Sequence, residues 1–197
     1  MQIQQILTRV QALLLKPKDT WEQIEKEPAN LQDTYVNYVM PLAAIPAVTN
    51  FLGMSLIGIG PAGAHVRIPF LAGIIQAIVS FGLSLGMIYA LAYIIDQLAT
   101  NFGAARNFNQ AFKVAAYAPT ASWIVGLVFL IPALGFFALL GGLYSLYLLF
   151  VGLPILMKPQ ADKATTYTLA VIGCAIVLSL AIGIVMAVFF SPATLGS

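Results

Sequence analysis

A chain of 197 residues that is 60% hydrophobic, 8% charged and has a mean hydropathy of +0.93 lies far outside the range of soluble domains, in which about a quarter of residues are charged. Its net charge of +2 is dispersed among connections instead of forming a basic stripe with aromatics, which argues against nucleic acid as a partner. The single Cys174 sits inside an apolar segment and reads as packing, so neither a disulfide framework nor a thiolate metal cluster is expected.

The chain opens without the all-round apolar stretch of a secretory signal. Ile3, Ile6, Leu7, Val10, Leu13 and Leu14 recur at helical spacing, with Gln2, Gln4, Gln5, Thr8, Arg9 and Gln11 around the other face. That pattern predicts an amphipathic helix, lying on the membrane surface or packed on the protein's own bundle. Lys16-Pro17 ends it, and a second short helix is expected to start near Asp19 or Thr20, with Glu22 closing a capping box. Its Glu22, Glu25 and Glu27 read as a solvated face, and Trp21 and Ile24 share one side. Residues 1–30 thus form an amphipathic N-terminal segment, and Asn30 caps the first membrane helix.

Five apolar segments come next, at about 35–56, 68–95, 111–131, 133–157 and 167–190, leaving a short tail at 191–197. Each is long enough for a helix to cross the roughly 30 Å hydrocarbon core. The expected fold is therefore an all-α integral membrane protein, with five transmembrane helices preceded by two short amphipathic cytoplasmic helices. Lysine and arginine concentrate in the connections on one side, at Arg9, Lys16, Lys18, Lys26, Arg106, Lys113, Lys158 and Lys163, while the other side holds only Arg67. Basic connections favour the cytoplasm, so the N-terminus is expected inside and the C-terminus outside. Tyr35, Tyr38, Tyr89, Tyr93 and Tyr167 fall at or near the same ends, where amphipathic rings prefer to sit, whereas Tyr117, Tyr144 and Tyr147 fall deeper and need hydroxyl partners.

This topology bears on catalysis. His65, the one histidine, lies across the bilayer from all seven carboxylates, so a catalytic triad or His-carboxylate metal site is not expected. No Walker loop or dinucleotide fingerprint occurs, and no cofactor is implied. Gly82 and Gly86 form a GxxxG, overlapped by Ser80 and Ser84, and Ser122 to Gly126 repeats the small-residue spacing. Such faces let helices approach closely, here for internal packing or as the seam of a homo-oligomer. Asn50 and Gln76 lie at similar depth in the first two spans, where their amides could bond to each other.

The third span carries the most unusual chemistry. Lys113 stands in its first turn, Tyr117 about one turn deeper, and Pro119 breaks the hydrogen-bond ladder. Asp96 and Arg106 fall near the level of Lys113. These five residues read either as an interfacial ion pair beside a tolerated proline or as the lining of a cytoplasm-facing pocket.

The segment Lys16-Pro17-Lys18-Asp19-Thr20-Trp21-Glu22-Gln23-Ile24-Glu25-Lys26-Glu27-Pro28 resembles the P-x-x-T-W-x-x-I-x-x-E-P stretch before the first span in bacterial members of the Yip family of Ypt/Rab-interacting membrane proteins. Ala111 to Pro119 is similar to the A-x-K-x-x-x-Y-x-x-x-P start of their third span, with the proline one residue nearer. The resemblance implies five helices and a cytoplasmic N-terminus. It does not imply Rab binding, because the D-L-Y-G-P motif of the eukaryotic proteins is missing. The expected function is a non-enzymatic membrane-organising or partner- and lipid-interaction module in a bacterial inner membrane. Arg9, Lys16, Lys18 and Trp21 would touch the lipid surface or a membrane or cytoplasmic protein partner. The alternative is a small transporter or lipid-handling protein using the pocket at Asp96, Lys113 and Tyr117.

Overall fold

The computed structural model describes residues 3–58 and 67–190. His65 and the tail at 191–197 lie outside the described residues. Two helices, α1 (Ile3–Leu15) and α2 (Pro17–Lys26), precede five helices long and apolar enough to span a membrane, at Leu31–Ile57, Phe70–Phe102, Phe108–Leu130, Pro132–Met157 and Ala164–Phe189. We call these spans one to five. The protein is an all-α, multi-pass membrane protein.

Local chemistry explains the boundaries. Pro17 opens α2, where a missing N–H costs nothing, so the helix begins before the capping box expected at Asp19 to Glu22. Thr20 then lies inside the helix and donates to the Lys16 carbonyl at 2.7 Å. Asn30 caps span one, its side-chain oxygen accepting from the Asp33 N–H at 3.0 Å. Span one contains a wide turn at Tyr35–Val39, in which the Met40 N–H reaches the Tyr35 carbonyl. The shift in register falls just before Pro41, where a donor is missing anyway. Span two ends on Gly103 at φ 70°, with the Gly103 N–H bonded to the Thr100 carbonyl at 3.3 Å and the Ala104 N–H to that of Ala99 at 3.0 Å. That is a Schellman stop, and glycine supplies its left-handed position. Lys158 takes the corresponding place after span four, at φ 47°.

Span three is the hub. Buried residues make up 56% of its apolar window, against 11–22% for the other four. It packs on spans one, two and four, while span five packs on two and four. Its first half, Phe108–Tyr117, is a regular helix starting from the Asn107 cap, and its second half restarts at Thr120, after Pro119. At the break the Tyr117 carbonyl accepts a hydrogen bond from the Thr120 hydroxyl at 2.6 Å. The Tyr38 hydroxyl in turn donates to Thr120 Oγ1 at 2.8 Å, tying span one to the break.

Spans one and three cross almost in contact. Thr49 Oγ1 donates to the Gly126 carbonyl at 2.7 Å, and Gly126 lies under Pro46. One turn further, a methyl group on Gly53 would stand 2.1 Å from the Phe129 carbonyl oxygen. By contrast, Gly82 and Gly86 are exposed, and a methyl group on either would meet nothing within 4 Å. The internal packing expected of that GxxxG is thus carried by Gly53 and Gly126 instead.

Candidate functional site

The N-terminal helices are held at one end of the bundle by specific contacts, and these define the site. α2 runs alongside span four. Near its start, the Tyr144 hydroxyl donates to the Leu14 carbonyl at 2.6 Å; midway, Trp21 fills a notch at Gly152; at its end, Lys158 Nζ meets Glu25 Oε1 at 2.7 Å. A side chain at Gly152 would collide with the indole, since an added methyl would stand 2.4 Å from it. Trp21 was expected at the membrane surface. Its ring is fully buried, because the only side of α2 that carries Trp21 and Ile24 faces the bundle.

Lys113 supplies the central lock. Only 6% exposed, its Nζ donates to the carbonyls of Ile24 at 2.8 Å and Glu27 at 2.6 Å, at the C-terminal end of α2, where the Ile24 carbonyl otherwise has only a long 3.3 Å bond from the Glu27 N–H. A cation there completes the carbonyl ends and opposes the negative pole of the helix. Gln110 adds a third bond, to the Glu25 carbonyl at 3.1 Å. Arg9 pairs with Glu27 and lies over the Tyr117 ring at 5.9 Å, so α1 is drawn into the same cluster. Tyr117 also packs edge-on to Trp21 and against Tyr38.

Four of the residues expected to line a pocket, Asp96, Arg106, Lys113 and Tyr117, are therefore spent on two separate contacts. Asp96 is 5% exposed and takes both bonds of Arg106, Nε at 2.9 Å and Nη2 at 2.8 Å, on its Oδ2. Lys113 and Tyr117 belong to the α2 lock, and Pro119 lies beyond both, on the far side of the helix break. Among the described residues no hydrogen bond joins Asn50 to Gln76; at that depth the neighbouring Thr49 links span one to span three instead. Lys16 and Lys18 are exposed.

Sequence reasoning missed three groups: Thr120, Tyr167 and Ser145. Tyr167, expected at the interface, is buried and donates to the Ile95 carbonyl, with its ring stacked on Phe102 at 5.0 Å. Ser145 accepts from the N–H and the hydroxyl of Ser122 at 3.0 and 2.9 Å. Ser122 stands in the first turn after Pro119, so the proline was the one visible signal for Ser145, and the carbonyls that Thr120 and Tyr167 meet had none.

The Glu25–Lys158 pair sits at the aqueous edge of the site. Its hydrogen bond from Lys158 holds the Glu25 carboxyl below its ordinary value. A lowered folded-state value means that the contribution is present above the ordinary carboxylate range and is lost as pH falls through the depressed value. Acidification should accordingly loosen the end of α2, an effect that Lys158→Gln abolishes. Amide exchange at Glu25 to Glu27, followed across the acid range in both proteins, checks this; equal acid sensitivity in the two would refute it.

Comparison with known proteins agrees with this architecture. The chain is 24% identical over 166 residues to "Inner membrane protein YohC" of Escherichia coli strain K12, covering 82% of this chain and 85% of that protein. The same protein from Escherichia coli O6:H1 gives the same values, 24% over 166 residues. No solved structure matches the chain. The sequence model of the Yip1 domain matches residues 12–191, from the end of α1 through span five, and the chain belongs to the Yip1 domain family.

Proposed function

We propose that this protein is a non-enzymatic membrane-organising module of a bacterial inner membrane, with α1, α2 and the N-terminus on the cytoplasmic side and the C-terminus outside. The carrying observation is the position of the corner between α1 and α2. Leu14 is bonded to Tyr144, which lies 13 residues before the end of span four at Met157. At 1.5 Å per residue the corner sits roughly 20 Å below that end. Span two, with 33 residues, is likewise longer than the bilayer core by about 20 Å. Span four, with 26 residues, covers roughly 39 Å and exceeds the core by about 9 Å. These lengths support a bundle that projects into the cytoplasm, wrapped there by α2, with the corner dipping roughly 10 Å into the acyl region, from which its lysines reach back to the headgroups.

The side chains at that level suit the boundary. Leu15 is 79% exposed beside exposed Lys16 and Lys18, and exposed Tyr147 packs on Tyr144 one turn along. Ile3 and Leu7 continue an exposed apolar stripe on α1. Leucines enter the acyl region while lysines meet anionic headgroups, each contributing about 1 kcal/mol near an anionic surface. Arg9 and Trp21 act behind this surface, holding α1 and α2 in place. The inner-membrane designation of the E. coli relative and the excess of basic connections on one side support the compartment and the orientation.

The test is the lipid shell that leaves the membrane with the protein. In bilayers of phosphatidylethanolamine and phosphatidylglycerol, polymer-extracted discs of the native chain should be enriched in phosphatidylglycerol over the bulk. Lys16→Glu with Lys18→Glu should remove the enrichment without unfolding the bundle. A shell of bulk composition around the native protein, or unchanged enrichment in the double variant, would sink the reading.

A further inference from the structure

A cavity of about 650 Å³ lies on the opposite side of span three from the N-terminal lock. It exists because span five packs on spans two and four while the second half of span three is redirected at Pro119. One serine from each of four spans lines it: Ser84, Ser122, Ser145 and Ser179. Its remaining lining is almost wholly apolar, with Pro119 and Trp123 from span three and leucines from span four. At its rim Leu139, Leu143 and Leu180 are exposed, so it opens sideways between spans four and five toward lipid.

The geometry points to one acyl chain of a phospholipid as the occupant. The volume falls within the roughly 300–1,000 Å³ of small-molecule sites. Water is a poor filler, since a buried water needs 2–4 polar partners. Ser84 and Ser179 are already spent on their own helices, donating to the carbonyls of Phe81 at 2.7 Å and Ala175 at 2.8 Å. Ser122 and Ser145 share one hydrogen bond between their hydroxyls, which leaves one hydroxyl proton of the pair without an acceptor among the described residues. The cavity thus offers a single donor in an otherwise hydrocarbon wall, too little to hold water and suited to a hydrocarbon chain. From Ser145 to Gly135, at the far end, are ten residues. At 1.5 Å each they cover roughly 15 Å, the depth of one leaflet's hydrocarbon. Gly135 stands three residues inside the Pro132 end of span four, so a chain from the leaflet on that side fits, with its head near Gly135 and its tail at the serine pair.

A phospholipid carrying a photoreactive group midway along one acyl chain tests this in vesicles of phosphatidylethanolamine and phosphatidylglycerol in equal parts. Adducts should concentrate on Ala118 to Trp123 and Ala138 to Leu149, above the level found on outward-facing Leu169, Val177 and Ile184. Gly142 lines the cavity and an added methyl there would meet nothing within 4 Å, so Gly142→Trp can fill the space without a clash at the backbone. That variant should lower labelling of the cavity peptides severalfold and leave the outward-facing peptides unchanged. If it fails to fold, the map of the native chain decides alone. Even labelling of all lipid-facing surfaces overturns the inference. So does modification of Ser145→Cys, in a Cys174→Ala background, by a membrane-impermeant maleimide, which would show a water-filled cavity.

Discussion

Lys113→Met should detach α2 from the bundle while all five spans remain inserted. The side chain reaches from span three to two carbonyls at the end of α2, of which that of Ile24 has besides it only the long bond from the Glu27 N–H, and it does so from a position that is 6% exposed. Hydrogen bonds to charged groups contribute about 1.5–3 kcal/mol each. Losing both should raise the opening equilibrium of α2 by at least about a hundredfold, at roughly 1.4 kcal/mol per factor of ten. Methionine keeps most of the aliphatic stem, so the effect isolates the ammonium group. Amide exchange should accelerate throughout Pro17 to Glu27 and at the end of α1, where Arg9 and Tyr144 provide the next attachments. The second halves of spans two to five should exchange as before. Slow exchange of α2 in the variant would mean that Trp21 in its notch suffices, and that the lysine does something else.

The same residue shows what the sequence could and could not disclose. Lys113, Tyr117 and Pro119 stand out in an apolar chain, because a lysine and a proline in a membrane helix both need a reason. The sequence offers Asp96 as a partner for the lysine, since charge and depth match. The structure uses backbone carbonyls at the end of α2 instead, and Asp96 goes to Arg106. Carbonyl ends have no sequence signature of their own; they become candidates only once α2 is known to lie against span three. Trp21 fails for a related reason. An amphipathic helix near a membrane presents the same pattern whether its apolar side meets lipid or protein, and only the notch at Gly152 distinguishes them. The five helices, by contrast, follow from composition and length alone, because few other structures satisfy the backbone in lipid. The cavity was illegible for the opposite reason: its four serines are scattered over nearly a hundred residues and converge only through the break at Pro119.

Small-residue spacing gives the sharpest separation between pattern and packing. Gly53→Ala should be among the most damaging single-methyl changes in the protein, and Gly82→Ala and Gly86→Ala among the mildest. At Gly53 the new methyl would lie 2.1 Å from a backbone oxygen of Phe129 and 3.1 Å from that of Leu130. Neither can rotate away as a side chain would, so span one must shift relative to span three. That shift also strains the Thr49 to Gly126 hydrogen bond and the Pro46 contact on the same face. Overpacking typically costs about 1–3 kcal/mol where side chains can yield, and a backbone clash on this crossing should reach or exceed the upper end. The GxxxG of span two looks more persuasive in sequence, yet alanine at either glycine meets open space in the isolated chain. Thermal unfolding in lipid discs containing a single copy should therefore show a large loss for Gly53→Ala and almost none for the other two. A comparable loss at Gly82 or Gly86 would mean that the face of span two is covered after all. Because a single-copy disc excludes a partner chain, that cover would have to come from this protein's own helices, and an arrangement of spans that leaves the face open would be wrong.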